Sequence, residues 1–156
     1  MPTGIPGSRK TFRCSVCNTE KYFKHGNSNT YCSMKCLRDD EYNEFIEKWK
    51  TGLISGDVIY GISKYIRRYI EEKFENRCTG CGVTDWRGKP LSLTLEHIDG
   101  NGSNNKEENL TLLCPNCHSQ TPTFAGRNKG NGTRAYRKKY DAVYLETARS
   151  RILTSL

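Results

Sequence analysis

The sequence predicts a small α+β protein, stapled by bound metal rather than built on one large apolar core. Three observations carry that expectation. Eight cysteines fall as four close pairs, Cys14/Cys17, Cys32/Cys36, Cys78/Cys81 and Cys114/Cys117. Apolar residues recur at helical spacing in two stretches of the first half. They alternate with polar ones over residues 91–97, as on a half-buried strand. With 156 residues and 35% hydrophobic content, one large core is not expected, whereas small metal-held cores are.

Residues 1–10 hold Pro2, Gly4, Pro6 and Gly7, which favour turns or disorder over packing. Cys14-x2-Cys17 and Cys32-x3-Cys36 then have the spacing of one tetrahedral thiolate site for Zn2+. A β-hairpin is expected across residues 21–31, with Gly26, Asn27 and Ser28 as its turn. His25 is a possible substitute ligand, but with four cysteines present it reads as a loop histidine.

Tyr42, Phe45, Ile46 and Trp49 mark one face of a helix over residues 40–50. Residues 51–61 carry three glycines and read as a linker. Ile62, Tyr65, Ile66, Tyr69, Ile70 and Phe74 mark a second helix. Arg67 and Arg68 lie off that stripe, either on a solvated face or against phosphates.

The second cysteine set opens with Cys78-Thr79-Gly80-Cys81-Gly82, a knuckle whose glycines let amides turn towards thiolates. Leu91, Leu93 and Leu95 give a strand over residues 91–97, and Asp99-Gly100-Asn101-Gly102 breaks it. A loop through Asn104-Asn105 leads to a strand over residues 109–113. Cys114-Pro115-Asn116-Cys117 forms the second knuckle and starts a short helix carrying His118, which Pro122 and Gly126 end. The order is therefore β, long loop, β, helix, with Zn2+ supplying much of the folding free energy.

The residues LEHIDGNGSNNKEENLTLLCPNCHSQ, with the cysteine pairs on either side, resemble the HNH endonucleases, the ββα-metal type with a four-cysteine zinc clamp. The three letters of that name fall on His97, Asn109 and His118. The detailed likeness covers about a third of the chain. The earlier YCSMKC and ISKYIRRYIEEKF stretches are similar to versions common in phage genomes. The resemblance implies a DNA endonuclease of the free-standing phage homing type, leaving 5′-phosphate and 3′-hydroxyl ends. It also implies that Asn109 ties the loop carrying the base to the second strand.

The residues suit that chemistry. Phosphodiester hydrolysis needs a water nucleophile, a base, and positive charge near the leaving oxygen. His97 is the candidate base, its alternative being a structural histidine at a strand end. His118 adjoins Cys117, but four thiolates already fill a tetrahedral site. It is therefore assigned to a second, catalytic metal, with Glu96 as carboxylate partner. Neighbours on a regular strand face opposite ways, so the strand must twist or end at Glu96-His97. One carboxylate and one imidazole leave an open, mostly oxygen shell, which suits Mg2+, with Mn2+ or Ni2+ also able to serve.

Net charge is +8, unevenly spread. Residues 78–126 hold three basic against five acidic residues, and residues 127–156 hold eight against two. Double-stranded DNA is the expected partner, gripped by the basic flanks: Arg127, Lys129, Arg134, Arg137, Lys138 and Lys139, with Arg67 and Arg68. No apolar run approaches the roughly 20 residues of a membrane span, and no signal peptide is read at the N-terminus. Paired cysteines argue for metal ligands in a reducing cytoplasm over a disulfide scaffold. Four parts are expected: a zinc finger (1–39), a helical linker (40–77), a nuclease module (78–128) and a basic tail (129–156). Two other readings are a restriction, packaging or RNA-directed nuclease, and a zinc-finger regulator whose nuclease-like unit is only structural. Target sequence, nicking against double-strand cutting, and oligomeric state are left open.

Overall fold

The computed structural model describes residues 10–23, 29–58 and 61–129. Two compact units divide after Glu47. His25, the expected turn at 26–28, and Arg134, Arg137, Lys138 and Lys139 lie outside the described residues.

In the first unit, β1 (Thr11–Arg13) pairs antiparallel with β2 (Glu20–Tyr22), Phe12 opposite Lys21. The hairpin expected over residues 21–31 has residues 24–28 outside the described residues, and the hairpin seen is β1 with β2. The turn is the first cysteine knuckle itself. Cys14 N–H donates to Thr19 O, Asn18 N–H donates back to Cys14 O, and Asn18 takes the left-handed φ that asparagine tolerates. Phe12 and Phe23 meet edge to face at 5.9 Å on this hairpin.

Helix α1 (Met34–Lys50) starts six residues before the expected position. Ser33 is the cause: its Oγ accepts from Cys36 N–H at 3.2 Å, a serine cap inside the cysteine pair. Tyr42, Ile46 and Trp49 are buried on its expected stripe. The unit boundary falls inside this helix.

In the second unit the expected linker carries order: β3 (Asp57–Val58) pairs with β4 (Gly61–Ile62). Helix α2 (Lys64–Lys73) follows, with Ser63 as N-cap accepting from Tyr65 N–H. A small hairpin, β5 (Asp85–Trp86) with β6 (Lys89–Pro90), lies between the first knuckle and the next strand. Strand β7 (Thr94–His97) pairs antiparallel with β8 (Leu110–Leu113), Glu96 opposite Thr111 and His97 opposite Leu110. Both strands are shorter than expected, and Asn109 sits in the 3-10 turn Glu107–Asn109 instead of the strand. Helix α3 (Pro115–Ser119) packs on both strands, and α2 packs on β8. Ile66, Ile70, Leu93, Leu110, Leu112 and Leu113 make the core, each buried side chain contributing about 1.5–3 kcal/mol.

Glu107 ties the turn before β8 to α2. Its Oε1 accepts from Lys73 Nζ at 2.6 Å and from Tyr69 O–H at 2.9 Å, while Lys50 Nζ stands 4.2 Å over the Tyr69 ring. Burial raises this carboxyl, but Lys73 and Tyr69 outweigh it and hold it below its ordinary 4.5. A depressed folded pKa stabilises above the ordinary value and is lost as pH falls through the lower one. Glu107→Gln should therefore cost about 1 kcal/mol near neutrality. In paired denaturation curves, the gap to the parent protein should stay constant down to about pH 4.5 and close below it.

Candidate active site

The sequence builds this site from the ends of β7, the loop after it, and α3. His97 is the last residue of β7, so it leaves the strand beside Glu96. Its Nε2 lies 2.8 Å from Asn105 Oδ1. Asn105 is buried; its backbone O accepts from Trp49 Nε1–H at 2.8 Å and its Nδ2–H donates to Asp57 Oδ1. Glu96 turns the other way. Its Oε2 lies 3.0 Å from His118 Nε2, and Thr123 O–H donates to Oε1 at 3.4 Å. The Phe124 ring braces His118 edge to face at 5.0 Å.

His97, Glu96 and His118 line one cavity of about 480 Å³, shared with Arg67, Gly100, Thr123 and Asn128. Cis ligands of an octahedral ion with bonds near 2.1 Å lie about 3 Å apart. Glu96 and His118 are in direct contact at 3.0 Å, a separation that two ligands of one small divalent ion would also have.

Asn109, 8% exposed, makes three side-chain bonds within this loop. It accepts from Asp99 N–H at 3.0 Å and donates to Asp99 Oδ1 at 2.9 Å and Asn104 O at 2.8 Å. Its backbone O accepts from Ile98 N–H. Burial raises the Asp99 carboxyl, but donors from Asn104, Asn101 and Asn109 hold it below the usual range. Gly100 has φ +70, and a Cβ there would sit 2.5 Å from Thr123 Cγ2, so the turn needs glycine.

Each four-cysteine set converges. Cys14, Cys17, Cys32 and Cys36 form one cluster, and Cys78, Cys81, Cys114 and Cys117 the other, with all sulfurs of a cluster within 4.8 Å. Sulfur separations are 3.4, 3.5 and 3.7 Å in the first and 3.7 Å for Cys81–Cys114. Thiolates around a tetrahedral Zn2+ at about 2.3 Å stand about 3.8 Å apart, so both clusters could hold zinc. His118 belongs to neither cluster. Burial raises the Cys78 thiol, yet amides of Cys114, Cys81 and Gly80 bring it down to about 6; bonding with Cys81 and Cys114 pushes Cys117 up to about 12.

The basic residues divide. Arg67 lines the cavity, with Nη2–H donating to Leu93 O at 3.0 Å and Nε paired to Glu71. Arg68 pairs with Glu72 and lines a separate groove. Arg127 is exposed and spans the end of α3, donating to Thr121 O and Ser119 O. Lys129 is exposed and outside the cavity lining. Sequence reasoning gave no role to Asn105, Asp57 or Thr123. Asn105 carried a signal as a polar pair with Asn104 in a glycine-rich loop; Asp57, 48 residues away, carried none.

A family model described as HNH endonuclease matches residues 78–122. The chain carries an HNH endonuclease domain. Over 58 residues it is 55% identical to H-N-H endonuclease F-TflIV of Escherichia phage T5, covering 37% of this chain and 26% of that protein. Over 92 residues it is 33% identical to Zorya protein ZorE of Escherichia coli, covering 59% of this chain and 21% of that one. The chain thus spans about a quarter or less of the length of these relatives. No solved structure matches it. Among the described residues, no helix is long and apolar enough to cross a membrane.

Asn109→Ala should cost about 1–2 kcal/mol in urea denaturation, because a buried side chain that makes three hydrogen bonds to Asp99 and Asn104 is lost. An unchanged midpoint would show that the loop holds itself.

Proposed function

We propose that the protein is a metal-dependent endonuclease that hydrolyses phosphodiester bonds of double-stranded DNA, of the phage homing type. The observation that carries this is the convergence of His97, Glu96 and His118 on one cavity inside an HNH domain. A purely structural unit, as in a zinc-finger regulator, has no need of an imidazole and a carboxylate–imidazole pair side by side. The 55% identity to a phage HNH endonuclease supports the phage assignment.

His97 is the base that takes the proton from the attacking water, the role that histidine most often fills in general acid–base catalysis. Glu96 and His118 would hold a divalent ion, Mg2+ or alternatively Mn2+ or Ni2+, which when bound would stabilise charge on the phosphoryl oxygens and the leaving 3′ oxygen. Thr123 and Phe124 fix the rotamers of Glu96 and His118. Asn109 holds the loop after His97 and does no chemistry itself. Arg67 lies at the rim to meet a phosphate, and the basic residues from Arg127 onward supply the remaining grip. In this reading the finger (1–39), linker (40–77), nuclease module (78–128) and tail (129–156) are functional parts, and the protein works in the host cytoplasm.

Purified protein should cut plasmid DNA with Mg2+ and stop with EDTA. His97→Ala should lower the cleavage rate by about 10²–10⁴-fold while gel-shift affinity for DNA persists. A variant cutting at the parent rate would remove His97 as base.

Elemental analysis should find two zinc ions per chain, one for each cysteine cluster. Cys114→Ser should lose one of them and unfold the nuclease module by circular dichroism, since the clamp supplies its folding free energy.

A further inference from the structure

The hydrogen-bond chain from His97 reaches outside the matched domain, through Asn105 to Asp57. Asn105 presents two edges of one amide. Nδ2–H faces the Asp57 carboxylate, which only accepts, so the amide cannot be turned round. Oδ1 therefore faces His97 Nε2 at 2.8 Å, and an amide oxygen only accepts. The proton of a neutral His97 must then sit on Nε2, leaving the lone pair on Nδ1. Asn105 is 4% exposed, so water does not compete for either edge. Its main chain is pinned by Trp49 Nε1–H, so the amide cannot drift from its place.

We propose that Asp57 and Asn105 are positioning residues that hold His97 in the Nε2–H tautomer with Nδ1 as the working base. The proposal rests on the reading of His97 as base. Asp57 acts through Asn105 and touches no substrate. A histidine base in the wrong tautomer offers an N–H where a lone pair is needed, which is why orienting partners matter out of proportion to their own bond.

The test uses the full chain with its zinc and with Mg2+ on plasmid DNA. Asp57→Ala should lower kcat about tenfold or more with KM for DNA unchanged, and Asp57→Asn, which keeps an acceptor, should recover most of it. In the Asn105→Ala background, Asp57→Ala should cost nothing further, because the two act in series. Long-range 1H–15N spectra of the imidazole at about pH 8, above the ordinary histidine value of about 6.5, should show Nε2–H in the parent protein and a mixture in Asp57→Ala. The proposal falls if the parent shows Nδ1–H, or if Asp57→Ala and Asn105→Ala multiply in kcat. The parent spectrum needs no variant to fold. It is also independent of cleavage: a protein with Nε2–H whose His97→Ala variant still cuts would sink the base reading and leave the tautomer lock standing.

Discussion

The whole second unit hangs on the junction of Cys78 with Cys114. Cys114 N–H donates to Cys78 Sγ at 3.2 Å, and one residue on Thr79 N–H donates to Leu112 O. These bonds lay the first knuckle along β8, which also pairs with β7 and packs against α2 and α3. The approach is close enough that a Cβ on Gly80 would come within 3.1 Å of Cys117 Sγ. Cys114 is also the N-cap of α3, its sulfur accepting from Cys117 N–H. One residue therefore serves as helix start and strand end while its sulfur belongs to a cluster that could hold a metal ion. His118 follows Cys117 directly, so the position of the imidazole at Glu96 is inherited from the thiolate cluster. An isolated helix of five residues would not hold such a position in water.

The loop between the strands uses polar groups where larger proteins use apolar ones. Asn105 and Asn109 are buried in a unit whose described core is a few isoleucines and leucines with Trp49, Cys78 and Cys114. Each of their hydrogen bonds adds about 1 kcal/mol net, but leaving a partner unpaired costs about 1–3 kcal/mol. That asymmetry makes the loop close to all-or-none: Asp99, Asn104 and Asn109 are placed together or not at all. Such a loop is suited to holding an imidazole to fractions of an ångström. A floppier glycine–asparagine sequence of the same composition would not do so.

Much of this was legible because it is local. Cysteine spacing gave both clusters, and the α+β class followed from apolar periodicity in Ile66–Ile70 and in Leu93–Leu95. Strand and helix order around His97, Asn109 and His118 was readable for the same reason. What the sequence hid depends on distant or competing contacts. Ser33 caps α1 from inside a cysteine pair, so the ligand spacing masked a helix start. Asn18 turns the first hairpin within the knuckle, where a turn was expected only later. Asp57 sits in a glycine-rich stretch with no motif around it, and its link to the site runs through Asn105, 48 residues away.

The cavity is therefore larger in origin than the matched segment of residues 78–122. Thr123 and Asn128 enter it from beyond that segment and Arg67 from before it. Arg67 is the single lysine or arginine among the described residues lining the cavity, and it is partly engaged by Glu71 and Leu93 O. A carboxylate-bearing site with one such cation at its rim attracts a polyanion weakly. In the proposed reading, holding one would need both a divalent charge at Glu96 and His118 and the basic excess outside the module. The acidic surplus thus lies within residues 78–126, and the basic surplus follows it in the sequence.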